Sequence, residues 1–247
     1  MGSHKPIRLG LMAPFTGLVE MYGNEISWAG QIACEEVNRS GGVLGQNLEL
    51  IVVDDGSQPE MAVPAALNLI QEQQCCAMIG NLLSNSRIAV NHQVAEPYAI
   101  PYLNFSFYEG SIYGKYFFSF SALPNQQIDK MVPYMAQTMG PKFYFAGSNY
   151  EWPRGSISAA KKALVDCGGE IVGEDYLEFG TTDYSQLMAA VSRSGANVFV
   201  PYFAGNDQLA LLTQFSASGL KDRMAVVMGH YDEAMMSKLP ADIRIVD

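Results

Sequence analysis

A chain of 247 residues, 49% hydrophobic and 16% charged, has enough apolar sequence to bury one large core or two modest ones, which argues against disorder. Its 15 basic and 25 acidic residues leave a formal net charge of -10, and with no Lys/Arg cluster to oppose that charge, a phosphate backbone is repelled and nucleic acid is set aside as a partner. The longer apolar runs, such as 198–203, are far too short to span a bilayer.

Residues 1–4 read as an expression scar rather than native sequence, so the N-terminus carries no legible address. From there the hydrophobic pattern predicts strands at 7–13, 48–54, 77–79 and 100–104, with helices at 24–38, 61–72 and 86–95 between them. Ser40-Gly41-Gly42 follows a helix, where glycine takes the left-handed conformation that ends it, and Gly45 turns the chain into the next strand. A dinucleotide fingerprint needs its glycines after a strand and before a helix, the reverse order.

The alternation restarts after a segment at 117–121. Helices are expected at 126–138, 155–167, 184–194 and 208–217, with strands at 143–147, 170–176, 198–202 and 224–228 and a short helix near 232–238. Strands alternating with helices throughout predict an α/β chain of two doubly wound parallel-sheet lobes, the first covering 5–121 and the second 122–247. Cys75 and Cys76 are adjacent, and Cys34 and Cys167 fall in expected helices, so the four cysteines are read as buried free thiols rather than a disulfide framework.

In such sheets the loops after the strands, with the unpaired N–H groups of the next helix, are where ligands are met. After the third strand, the run from Asn81 to Ser86 offers the hydroxyl of Ser84, which either caps a helix or donates to a ligand. After the fourth, Asn104 and Ser106 flank Phe105, an arrangement that suits a small polar solute or a plain turn. In the second lobe the loop from Gly147 to Arg154 carries Tyr150 and Trp152, aromatics with an apolar face and a hydrogen-bonding tip. Asp207 and Tyr231 also follow strands, and their segments read equally as ligand contacts or helix caps.

Catalytic candidates are thin. No Gly-x-Ser-x-Gly, Walker or His-Glu-x-x-His motif occurs, and beyond the leading residues only His92 and His230 remain. Asp54 and Asp55 end a strand without a second ligand cluster. No enzymatic activity, metal or cofactor is expected.

Several motifs together resemble a known family. Pro14-Phe15-Thr16-Gly17, then Glu36-Val37-Asn38 leading into Gly41-Gly42-Val43-Leu44-Gly45, and Ile79-Gly80 followed by Ser84 are similar to the first-lobe landmarks of the type I periplasmic binding proteins, which include the leucine/isoleucine/valine binders. Tyr108-Glu109-Gly110, Pro124-Asn125-Gln126-Gln127, Gly147-Ser148-Asn149-Tyr150 with Pro153-Arg154, and Gly168-Gly169-Glu170 resemble its urea and short-chain amide branch. The resemblance implies a small polar solute held between the lobes, with Ser84, Asn104, Ser106 and Tyr150 as contacts and Trp152 where that branch has another aromatic. It departs at Asn104-Phe105, where an aromatic-proline pair is usual, at Leu82, and at Asp247, before the family's return to the first lobe. The implied partners are an ABC permease, in a periplasmic or extracellular protein, or a fused signalling module in a sensor; an uncovered sheet edge would also invite self-association.

Overall fold

The computed structural model describes residues 5–240 and 243. Residues 1–4 and the chain end at Asp247, on which two of the expectations above rest, lie outside the described residues. The chain divides into two compact units, one running to Phe107 and including Ile112–Ser121, the other formed by Tyr108–Ser111 and everything from Ala122 onward.

The first unit is a five-stranded, wholly parallel sheet in the order β2-β1-β3-β4-β5, with β1 Ile7–Ala13, β2 Leu48–Asp54, β3 Ala77–Ile79, β4 Tyr102–Asn104 and β5 Phe117–Ser119. Parallel neighbours need crossovers, and helices α1 (Gly23–Arg39) and α2 (Pro59–Gln71) supply the first two. Pro59 opens α2 at a position whose N–H has no helical partner, and α1 ends where Gly41 and Gly42 take φ of +100° and +71°. The third crossover runs from α3 (Ser84–Val90) through a π-helical turn, Asn91–Ala95, into α4 (Glu96–Tyr98). Met12, Ala66, Leu69, Met78, Val90 and Tyr102 form the centre of its core.

The second unit repeats the plan with four parallel strands in the order β7-β6-β8-β9: β6 Lys142–Ser148, β7 Glu170–Leu177, β8 Val198–Tyr202 and β9 Ala225–Val226. Its helices are α5 (Pro124–Met139), α6 (Glu151–Asp166), α7 (Ser185–Arg193), α8 (Gly205–Ala217) and α9 (Glu233–Lys238). Every residue of β8 is buried, as a central parallel strand covered on both faces requires. Tyr144, Tyr184, Phe199, Phe203, Leu211 and Phe215 form the core.

Two helices begin earlier than their hydrophobic period suggests. Helix α6 starts at Glu151, so Trp152, Pro153 and Arg154 belong to its first turn and not to a loop, since proline in a first turn loses no helical hydrogen bond. Helix α8 starts at Gly205, which places Asp207 and Gln208 in its first turn. The cysteines are free, but Cys76 and Cys167 are exposed rather than buried; Cys167 sits just past the end of α6. No helix among the described residues is long and apolar enough to cross a membrane.

Candidate functional site

Within each unit the strand order reverses once: between β1 and β3 in the first, and between β6 and β8 in the second. At such a switch point the loops leaving the two strands diverge to opposite faces of the sheet, and a crevice opens at the strands' C-terminal ends. Of the expected site residues, Ser84, Tyr150, Trp152 and Asp207 follow β3, β6 and β8, which border these switch points, whereas Asn104 and Ser106 lie at the end of β4 and Tyr231 beyond β9.

In the first unit the crevice floor is a buried polar network. Asp55 accepts from Asn81 Nδ2 at 2.8 Å and from Ser57 N at 2.9 Å. Burial pushes its carboxyl above the usual range, aided by the charge of Asp54 and opposed by those two hydrogen bonds. The Tyr102 hydroxyl accepts from the Asn81 backbone at 2.9 Å and donates to Asn81 Oδ1 at 2.6 Å. Arg87, completely buried, donates to the carbonyls of Asn81 and Leu82 and to Ser84 Oγ, the last at 3.2 Å. The β3–α3 loop is thereby fixed from beneath by one guanidinium. Asp54 holds the β1–α1 loop, accepting from Phe15 N, Thr16 N, Thr16 Oγ1 and Gly56 N. Burial would raise its pKa, but these bonds together hold it below the ordinary value.

In the second unit the tips are aromatic. Tyr150 lies 4.8 Å from Phe179 and 6.3 Å from Trp152, ring centre to ring centre, and Trp152 meets Tyr202 edge-on at 5.4 Å. Tyr150, Trp152 and Tyr202 are buried, whereas Phe179 is half open. The same unit holds two buried oxygens with no hydrogen-bond partner among the described residues: Ser148 Oγ, ending β6, and Gln208 Oε1, in the first turn of α8. They belong to the two strand ends that bound the switch point. Buried polar atoms are in general almost always paired, and the first unit holds three more exceptions among the described residues, Ser86 Oγ and Asn91 Nδ2 and Oδ1; in the second unit Gln208 Oε1 can accept and the Ser148 hydroxyl can accept or donate. Gln208 also donates through Nε2 to the carbonyl of His230. Burial lowers the His230 pKa despite its 3.0 Å contact with Asp232, so the ring is neutral at pH 7.

Each expected site residue takes a definite place. Ser84 opens α3 and is buried, accepting from Arg87. Asn104, ending β4, bonds the turn that follows it and the neighbouring β5: its amide donates to Ser106 O and Ser119 Oγ and its oxygen accepts from Ser106 N. Ser106 is buried with its hydroxyl on the Phe107 carbonyl. Tyr150 precedes α6 and Trp152 lies in its first turn. The Asp207 carboxylate is buried and receives the Gly180 amide, and burial raises its pKa to about 6 against the effect of that bond. Tyr231 is half-buried beside Asp232, whose side chain caps α9 by accepting from Met235 N at 2.8 Å. Thus Ser84 and Ser106 share the first unit, and Tyr150, Trp152, Asp207 and Tyr231 the second. Ser148 and Gln208 were not among the expected residues; Ser148 ends a strand inside the motif that drew attention to Tyr150, whereas nothing in the sequence marks Gln208.

Among the described residues no group of three or more His, Cys, Asp or Glu side chains could hold a metal ion.

The family model described as periplasmic binding protein matches residues 6–243. The leucine-, isoleucine-, valine-, threonine- and alanine-binding protein of Pseudomonas aeruginosa is 25% identical over 251 residues, covering 95% of this chain and 66% of its own length. Among solved structures, the branched-chain amino acid transporter substrate-binding protein LivJ from Streptococcus pneumoniae, in complex with isoleucine, superposes with a TM-score of 0.84 at 20% identity, over 97% of this chain and 69% of its own. A solute-binding protein of an ABC transporter from R. palustris, in complex with 4-hydroxybenzoate, gives 0.82 at 20% identity, over 91% and 61%. At these identities the structural likeness establishes the fold. The chain spans less than two thirds of the length of the Pseudomonas and R. palustris proteins.

Proposed function

Because this chain belongs to the periplasmic binding protein family, we propose that it is an extracytoplasmic protein that captures a small polar solute at the strand tips of its α/β lobes and presents it to an ABC permease. The observation that carries the reading is the pair of unpartnered buried oxygens, Ser148 Oγ at the end of β6 and Gln208 Oε1 in the first turn of α8, in the unit whose strand tips also carry Tyr150, Trp152 and Tyr202. An amide oxygen and a hydroxyl, in a unit with aromatic strand tips, suit a solute that brings N–H or O–H donors on a flat head group. Amides, urea and amino acids fit that description. So does an aromatic acid such as the 4-hydroxybenzoate bound by the R. palustris relative.

In the first unit Ser84 and Ser106 are the proposed contacts, with Asn104 shaping the turn that presents Ser106. Tyr150, Trp152 and Tyr231 are their counterparts in the second, where Ser148 and Gln208 accept. The proposed role is binding without turnover. A thermal-shift screen of acetamide, urea, isoleucine and 4-hydroxybenzoate tests the reading. A ligand present at about 100 times its Kd should raise the melting temperature by roughly 5–10 °C, and no shift from any of the four would count against it.

A further inference from the structure

We propose that Asp207 is a positioning residue that acts through the Gly180 amide to keep the ring of Phe179 against Tyr150. The inference deepens the reading of the second unit's strand tips as a solute site and rests on it. Phe179 lies in the loop between β7 and α7 and is 40% exposed, so little buried packing holds its ring in place. That ring nevertheless lies 4.8 Å from Tyr150 at an angle of 45°. Next to it, Gly180 adopts φ +77°, a conformation that side-chain-bearing residues rarely take, and this turns its N–H toward α8.

Both carboxylate oxygens of Asp207 receive that N–H, at 3.1 and 3.2 Å. The end of the loop is tied to the same helix: Tyr184 OH donates to the Asp207 carbonyl at 3.1 Å, Tyr184 N to Gln214 Oε1 at 2.7 Å, and Gln214 Nε2 to the Thr182 carbonyl at 2.8 Å. Of the ties to α8, only the Asp207 carboxylate bond reaches a residue beside Phe179; on its other side Glu178 accepts from Asn149 Nδ2 at 2.7 Å.

Energetically the residue is an odd choice for a merely structural role. A carboxylate that is only 3% exposed, meeting one backbone amide and no Lys or Arg among the described residues, contributes poorly to folding. Its location makes sense if the strap positions something. The acceptor oxygen is what the strap needs, so a carboxamide should serve while a methyl should not.

The test uses the whole chain and two readouts that need no solute: hydrogen exchange of the Gly180 amide, and the ring-to-ring nuclear Overhauser contact between Phe179 and Tyr150. Asp207→Ala should speed Gly180 exchange by about tenfold and abolish the ring contact. Asp207→Asn should restore both to within about twofold of the parent. If the alanine variant does not fold, Asp207→Ser replaces it, keeping a polar group in the buried position but too short to reach Gly180. Gly180 exchange unchanged by these shortened side chains, or an Asn variant as fast as them, would overturn the proposal. A failed solute screen would strike the functional reading and leave these measurements to decide this one.

Discussion

Asp207 reaches out of the first turn of α8 to take the backbone N–H of Gly180 on both carboxylate oxygens, so one buried acid joins the β7–α7 loop to the strand tip that follows β8. Burial lifts its pKa from 3.8 to about 6, which makes the folded protein hold this proton more tightly than the unfolded chain does. The sign follows directly. Below pH 4 the acid is neutral in both states and its charge costs nothing; as pH rises from 4 to 6 the folded state loses stability, and above 6 the cost is constant. Urea unfolding should therefore show about 1–3 kcal/mol of stability regained from this group between pH 7 and pH 4. Asp207→Asn should remove that component of the pH profile.

Asp54 works in the opposite sense. Its pKa is held down by the bonds from Thr16, Gly56 and Phe15, so its contribution is present above the unfolded value of 3.8 and is lost as pH falls through the lower folded value. Asp54→Ala should cost about 1–3 kcal/mol at pH 7, and the penalty relative to the parent should shrink in acid, as followed by denaturant midpoints.

Arg87 is the residue on which the first unit's tip depends. Four hydrogen bonds leave its guanidinium, to Asn81 O twice, Leu82 O and Ser84 Oγ. Arg87→Met keeps the stem but strands those acceptors in the interior, which should cost about 3 kcal/mol or more and lower the melting temperature by roughly 6–12 °C. Arg87→Lys should recover little, because a single ammonium cannot reproduce the planar fork.

Gly147 allows β6 and α6 to meet. A methyl group there would lie 2.6 Å from Pro153 Cβ and 3.0 Å from the Tyr202 carbonyl oxygen. The proline ring has no rotamer to yield, so Gly147→Ala should push back the start of α6, with Trp152 in its first turn, at about 1–3 kcal/mol. A shift in Trp152 emission, read with Trp28 replaced by Phe, should accompany the loss.

Much of this architecture was legible in the chain. Strands 7–13, 48–54, 77–79 and 198–202 emerge with the expected ends because strands of a parallel sheet covered on both faces are written as predominantly apolar runs, broken in the first two only by Arg8, Glu49 and the terminal Asp54. What escaped lies where strand turns into helix. Apolar periodicity cannot see the polar first turns at Glu151–Arg154 and Gly205–Gln208, because those residues face a strand tip and not the core. For the same reason Gln208 was invisible, since its orphaned oxygen is a property of three-dimensional crowding. Asn104 shows the converse. Its place at a strand end reads as a ligand contact or a plain turn; the amide side chain bonds Ser106 two residues on and Ser119 on the neighbouring β5, a reach that apolar periodicity does not report.

The claim that the strand tips hold a solute is most directly tested by Tyr150. Isothermal titration of the parent and of Tyr150→Ala against acetamide, urea, isoleucine and 4-hydroxybenzoate should find at least one solute that binds the parent with one-to-one stoichiometry. The same solute should bind the variant about tenfold or more weakly. A solute that binds both proteins with equal affinity would contradict the site assigned to the second unit.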